Sequence, residues 1–335
     1  MEHKKKIRIK YVGFWPGFDR NTFRITRILQ ELYDVEFCDD PDFVICSCFD
    51  EHSDYLEYSQ PRLLYSGENY LPDLNLVDYA ISPYPISLYD RCFRVPYGMF
   101  RTDKTSHCAK RSRGEITFSR EDIKKKTRFA NFCASHDSEN NIRGDFFKKL
   151  SEYKKVDSIG TYLNNTGAKV NFSDGTKADY QRICKFSLCF ESTSHAGFNT
   201  EKLLDAFWAD TIPVYYGDPH IGEIYNKKAF IDVSDYESFD EAIARIIELD
   251  NDDEAYLEML NQPVFNDPMY SEKLIQGCEN FLRNIFDQQP EAAYRRSRVY
   301  AAKNTESYLR NATRVYRRYR KVDAVVSKVF CRSKK

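Results

Sequence analysis

Residues 186–217, FSLCFESTSHAGFNTEKLLDAFWADTIPVYYG, constrain the fold more than any other segment. Residues 186–190 are a short apolar run of a length that suits a buried strand, and the run stops at Glu191. A polar stretch, SerThrSerHisAlaGly, follows. Asn199 and Thr200 are residue types that cap helix N-termini. Leu203, Leu204, Phe207 and Trp208 then recur at helical spacing and give the helix one apolar face. Residues 212–216 read as a second strand, stopped by Gly217. Strand, loop, helix and strand make a βαβ unit whose polar loop lies at the strand's carboxyl end, where open α/β sheets bind ligands.

Glu201 and Lys202 fall in the first turn of that helix. Unbonded backbone N–H groups and the positive end of the helix dipole lie there, which suits a phosphate. A lysine in a first turn opposes the dipole, and a bound anion would offset that cost. The plainer alternative is a solvent-facing Glu-Lys pair.

The rest of the chain repeats the pattern. Strands are expected at residues 7–14, 43–48, 62–65 and 79–82, with a helix from about Asn21. Glu68 follows the third of these strands. The charged residues 101–126 read as a linker. A strand at 127–135 then opens a second domain, and Asn141 and Arg143 lie at its strand-to-helix junction. An arginine there can fork two N–H groups onto a phosphate; a plain surface arginine is the alternative. A strand is expected at 229–233, and helices near 239–249, 254–261 and 271–286.

Charge is uneven along the chain. The net value is −1, but residues 291–335 hold 14 Lys and Arg against 3 Asp and Glu, a balance of +11. The remainder holds 36 basic and 48 acidic residues, or −12. Tyr294, Ala301, Tyr308, Val315 and Val322 recur seven apart in this tail. Such a seam suits a helix on the body, a weak coiled coil or an interfacial helix on an anionic surface. Nucleic acid is not expected, because no recognition motif accompanies the charge. The ten cysteines include no C-x-x-C pair, and no stretch approaches the roughly 20 apolar residues of a membrane span. The expectation is a cytoplasmic chain with reduced thiols, peripheral on the inner membrane face, whose sequons at Asn164, Asn171 and Asn311 are chance.

PheGluSer, then AsnThrGluLysLeuLeuAspAlaPhe, then ThrIleProValTyrTyrGly, resembles the donor-site signature of the α-1,3/1,4-fucosyltransferases of glycosyltransferase family 10, bacterial type. LeuTyrSerGlyGluAsn and AsnLeuValAspTyrAlaIleSer resemble the acceptor domain of the same family, as does the Asn-x-Arg of Asn141 and Arg143. The resemblance implies an α/β fold of GT-B type: two Rossmann-like domains facing a cleft, with a basic helical tail. Residues 1–125 would bind the acceptor, 126–285 the donor, and 286–335 would form the tail. It implies transfer of L-fucose from GDP-fucose to a glycan containing N-acetylglucosamine, at O3 of an N-acetyllactosamine-like acceptor, with inversion and no metal or other cofactor.

The resemblance also assigns roles. Glu68 would be the base. Glu201 would meet sugar or ribose hydroxyls or the developing positive charge. Arg143, Lys202, Asn141, Ser192, Phe198 and Thr200 would contact the donor. Ser192 stands where many relatives have Asn, and Phe198 where many have Tyr. His195 reads as a solvent-exposed residue. Two alternatives stay open: a transferase for another nucleotide sugar, and a non-catalytic glycan- or membrane-binding protein on a degenerate scaffold.

Overall fold

The computed structural model describes residues 4–49, 53–167 and 176–332, with side chains as far as residue 320 apart from that of Thr102. The sequon at Asn171 and the side chain of Val322 lie outside what is described.

Short apolar runs build two parallel sheets. In the first, β1 (Lys6–Val12), α1 (Arg24–Leu32), β2 (Asp34–Phe37), β3 (Phe43–Ser47), β4 (Arg62–Tyr65), β5 (Tyr79–Ser82) and β6 (Cys92–Arg94) give the strand order β2-β1-β3-β4-β5-β6. β3 and β5 are buried at every residue, as the inner strands of a covered parallel sheet must be. α1 buries Ile25, Ile28 and Leu29, spaced to share one helix face.

The second sheet is preceded by two helices, α2 (Thr102–Ser112) and α3 (Arg120–Lys124). It continues through β7 (Arg128–Phe132), α4 (Ile142–Tyr153), β8 (Val156–Ser158), α5 (Thr176–Arg182), β9 (Cys184–Phe190), α6 (Glu201–Trp208), β10 (Ile212–Tyr216) and β11 (Ile231–Asp232). Its order is β11-β10-β9-β7-β8, all parallel. α7 (Phe239–Asn251), α8 (Asp253–Leu260), α9 (Tyr270–Phe286) and α10 (Tyr300–Arg332) complete the chain. The expected βαβ unit is β9-α6-β10, with Leu203, Leu204, Ala206 and Phe207 buried.

Sheet order locates the ligand-binding edge. Chain direction across the sheet reverses between β1 and β3 in the first sheet and between β7 and β9 in the second. Ligands of open α/β sheets bind at the carboxyl ends of strands beside such a reversal.

Three boundaries differ from expectation. The chain divides into one unit of Met1–Ser82, Ile86–Arg94 and Gly277–Lys335, and another of Pro83–Pro85 and Val95–Gln276. The expected linker at 101–126 is therefore α2 and α3 of the second unit. Its charges misled because their partners lie about a hundred residues away: Lys104 pairs with Asp205, His107 with Asp210, and buried Arg111 donates to the Phe207 and Leu260 carbonyls. Residues 286–335 are likewise no separate tail. Asp78, fully buried, accepts the backbone N–H groups of Arg295 and Arg296 at 2.8 and 2.9 Å and pairs with the Arg296 guanidinium. Buried Arg62 pairs with Glu306 at 2.6 Å, and Glu57 pairs with Arg314.

Candidate active site

The βαβ unit places its polar groups with buried anchors. Glu191, the residue after β9, is buried, and its backbone N–H bonds the Tyr216 carbonyl at 2.8 Å. Its carboxylate accepts the Thr200 backbone N–H at 2.7 Å and the Thr200 hydroxyl at 2.9 and 2.8 Å. Lys202 donates to the same carboxylate at 3.1 Å and to Thr200 Oγ1 at 2.7 Å. Glu191 thus fixes both the N-cap residue and the lysine of α6. An ammonium has three donors, so Lys202 retains one for a ligand. Buried Asp218 holds the preceding loop: it accepts Gly197 N at 2.7 Å, Asn199 Nδ2 at 3.2 Å and His220 N at 2.9 Å.

Below the first turn, Asp205 accepts from Lys177 at 2.9 Å and also from Lys104. Lys177 and Asp205 are 6% and 4% exposed, so this is a buried charge cluster. Burial pushes the Asp205 carboxyl up, but Lys177 and Lys104 outweigh it and hold it below the ordinary Asp range. Glu201 behaves alike: burial raises it, and Lys202 with Lys177 brings it below the ordinary Glu range. The site therefore presents an ionised Glu201 at neutral pH.

Arg143 lies one residue into α4, on the far side of the sheet reversal. Its Nε and Nη2 donate to the Phe190 carbonyl at 3.0 and 2.8 Å, and Nη1 donates to the His136 carbonyl at 3.1 Å. These bonds tie the loops after β7 and β9 together, and they leave one N–H on each terminal nitrogen for an anion. Burial depresses this guanidinium. Asn140 and Asn141 both take left-handed conformations, at φ 58°. Two consecutive side-chain-bearing residues there are uncommon, and asparagine tolerates the conformation better than most. Ser192 is half-buried, and its carbonyl accepts Glu139 N at 3.1 Å. Phe198 is 3% exposed and stacks on Tyr84 at 6.4 Å, so it supports the loop from beneath. His195 is exposed, as expected.

Thr200, Glu201, Lys202, Arg143, Asn141 and Ser192 thus share the carboxyl-end edge of the second sheet, while Glu68 belongs to the first unit. Glu68 is exposed just beyond β4, in a turn where Tyr70 N bonds its carbonyl at 2.7 Å. Glu191, Asp205, Lys104 and Lys177 were not singled out in the sequence. Glu191 did carry a signal: a lone carboxylate closing an apolar strand inside the quoted motif.

Two Asp-x-Asp spellings, at Asp40/Asp42 and Asp250/Asp252, are engaged elsewhere. Arg8 pairs with Asp40 and Asp42, Lys154 and Lys185 pair with Asp250, and Asp252 caps α8. Among the described residues, no group of three or more His, Cys, Asp or Glu is placed to hold a metal ion. None of the described helices is long and apolar enough to cross a membrane.

Residues 123–262 match the glycosyltransferase family 10 (fucosyltransferase) C-terminal region, and residues 9–100 match the α-(1,3)-fucosyltransferase N-terminal domain. An α-(1,3)-fucosyltransferase of Helicobacter pylori is 29% identical over 78% of this chain, which spans 60% of that protein's length. A crystal structure of α1,3-fucosyltransferase superposes with TM-score 0.68 at 25% identity, covering 85% of this chain and 91% of the other. A crystal structure of α1,3-fucosyltransferase with GDP-fucose gives TM-score 0.65 at 26% identity over 85% and 93% of the two chains.

Proposed function

The chain belongs to the fucosyltransferases of glycosyltransferase family 10, and on that premise we propose that it is an α-1,3-fucosyltransferase using GDP-fucose. The acceptor is a glycan containing N-acetylglucosamine, of N-acetyllactosamine type, and fucose goes to its O3 with inversion. The supporting observation is the Glu191-Thr200-Lys202 arrangement at the start of α6, in a chain similar to an α1,3-fucosyltransferase crystallised with GDP-fucose.

The departing diphosphate gains negative charge as the bond to fucose breaks. Lys202, the free N–H groups of α6 and the remaining N–H groups of Arg143 stabilise it. Asn141, Ser192 and Thr200 add polar groups along the same edge, and Phe198 braces the loop. Glu201, held ionised, faces sugar or ribose hydroxyls or the positive charge developing on the sugar. Glu68 takes the proton from the attacking acceptor hydroxyl, and a single displacement inverts the anomeric centre. No metal enters this scheme.

The first unit also offers a surface for sugar. Phe14 stacks on Phe18 at 4.1 Å, and Trp15 meets Phe18 and Phe49 edge-on at 5.0 and 5.5 Å. These half-exposed rings follow β1 and β3, at that sheet's own reversal, and ring faces suit the C–H faces of pyranoses.

The cytoplasmic, membrane-peripheral setting is part of the same reading. Tyr308, Val315, Tyr316 and Tyr319 are exposed on α10 beside Arg318 and Arg320, a combination that suits an anionic bilayer surface. The test of the activity is to give purified protein a panel of nucleotide sugars with N-acetyllactosamine and weigh the products. A fucosylated trisaccharide from GDP-fucose alone is expected. Transfer from another nucleotide sugar, or from none, would overturn the assignment.

A further inference from the structure

At the start of α10, Ser59, Arg296, Arg298, Lys303, Glu306, Ser307 and Arg310 line a half-open cavity of about 180 Å³. Four of the seven are cations. The one carboxylate, Glu306, already receives Arg62 at 2.6 Å. Arg296 is 5% exposed and pairs with Asp78 and, at 3.6 Å, with Glu306, while Arg298, Lys303 and Arg310 make no ion pair among the described residues. The Nε of Arg310 is buried without a hydrogen-bond partner. A buried donor without a partner is uncommon in folded proteins. The field reaches neighbouring groups: after burial, the next influence depressing the Arg62 guanidinium is Arg296.

The cations are also positioned. Tyr294 donates its hydroxyl to the Ser59 carbonyl at 2.9 Å, and the Arg298 guanidinium lies 3.5 Å from the centre of the Tyr294 ring. Arg296 is held by the Ser59 carbonyl at 3.1 Å as well as by Asp78. Fixed guanidinium groups beside two serine hydroxyls match the donor needs of a phosphate. The volume falls below the roughly 300 Å³ at which ligand-sized pockets begin. It therefore suits a phosphate group whose remaining substituent stays outside, and not a whole nucleotide sugar.

We propose that this cavity is a phosphate-binding site, separate from the α6 site and independent of the transferase assignment. The phosphate has two possible sources, a free soluble phosphate or the headgroup of an anionic phospholipid. Arg298 and Arg310 make the recognising contacts, with Ser59 and Ser307 alongside.

The test uses the full chain and two charge-matched variants: Arg298→Gln/Arg310→Gln in the cavity, and Lys124→Gln/Lys125→Gln at the exposed end of α3. Inorganic phosphate is titrated calorimetrically, and vesicles of phosphatidylglycerol or phosphatidylcholine are co-sedimented. Saturable phosphate binding weakened tenfold or more by the cavity variant alone would identify a soluble ligand. Binding to phosphatidylglycerol vesicles lost by the same factor, again in the cavity variant alone, would identify a lipid headgroup. The proposal is overturned if the wild type binds neither probe, if the cavity variant binds as the wild type does, or if both variants lose binding equally. The last result would mean diffuse surface charge.

Discussion

Gly217 lies against Glu191 so closely that a Cβ at this position would stand 2.5 Å from Glu191 Cγ and 2.6 Å from the Tyr215 hydroxyl. The strand that closes the βαβ unit thereby sets the carboxylate that holds Thr200 and Lys202. Gly217→Ala should displace Glu191. A loss of about 1–3 kcal/mol in stability is expected from overpacking, with weaker GDP binding at temperatures where the variant is folded. Chemical denaturation and calorimetry report the two effects separately. A variant with wild-type GDP affinity would show that Glu191 does not organise the donor site.

Glu68→Gln keeps the side-chain shape and removes the proton acceptor. Turnover should fall by about 10² or more, while GDP affinity stays near that of the wild type. Steady-state kinetics beside a GDP titration checks this. Turnover within a few-fold of the wild type would remove Glu68 from the role of base.

Much of this was legible in the chain itself. The 186–217 unit could be read because its strands are mostly apolar and its helix has one clean apolar face, so local pattern and tertiary burial agree. β2, β6 and β8 escaped for different reasons. β2 and β6 are short and only half-buried, and β8, Val156–Ser158, buries an Asp and a Ser with no apolar run to mark it. The segment 101–126 looked like a linker because Lys104, His107 and Arg111 appear solvated until Asp205, Asp210 and the Phe207 carbonyl come into view. Buried charge paired at long range leaves no local signature. The same blindness separated residues 286–335 from the unit they complete.

The buried cluster under α6 has a pH signature. Asp205 titrates lower in the folded chain than its ordinary value of 3.8, so the folded state binds fewer protons than the unfolded state through that window. Its contribution to stability is complete above the ordinary carboxylate range and is lost as pH falls through the depressed folded value. Asp205→Asn should cost about 3–5 kcal/mol at neutral pH, because buried Lys177 loses its counter-ion. It should also flatten the acid limb of stability. Urea unfolding across a pH series measures both, and an unchanged acid limb would show that the cluster does not carry this linkage.

Deleting residues 291–335 removes Arg296 from Asp78 and Glu306 from Arg62, leaving two buried charges without their partners. A loss of about 3–5 kcal/mol per broken pair is expected, enough to unfold most single domains. Ending the chain after Arg320 keeps these pairs and should leave the melting temperature near that of the full chain. Thermal unfolding followed by circular dichroism decides it. A stable 1–290 fragment would mean that the C-terminal segment only rests on the first unit.

The central claim is that the start of α6 holds the diphosphate of the donor through Lys202. Its most direct measurement is calorimetric titration of GDP into wild-type protein and Lys202→Ala. The expected result is saturable binding by the wild type, weakened by about 1.5–3 kcal/mol in the variant, or roughly ten- to a hundredfold. Equal affinity in the two proteins, or no GDP binding by the folded wild type, would contradict it.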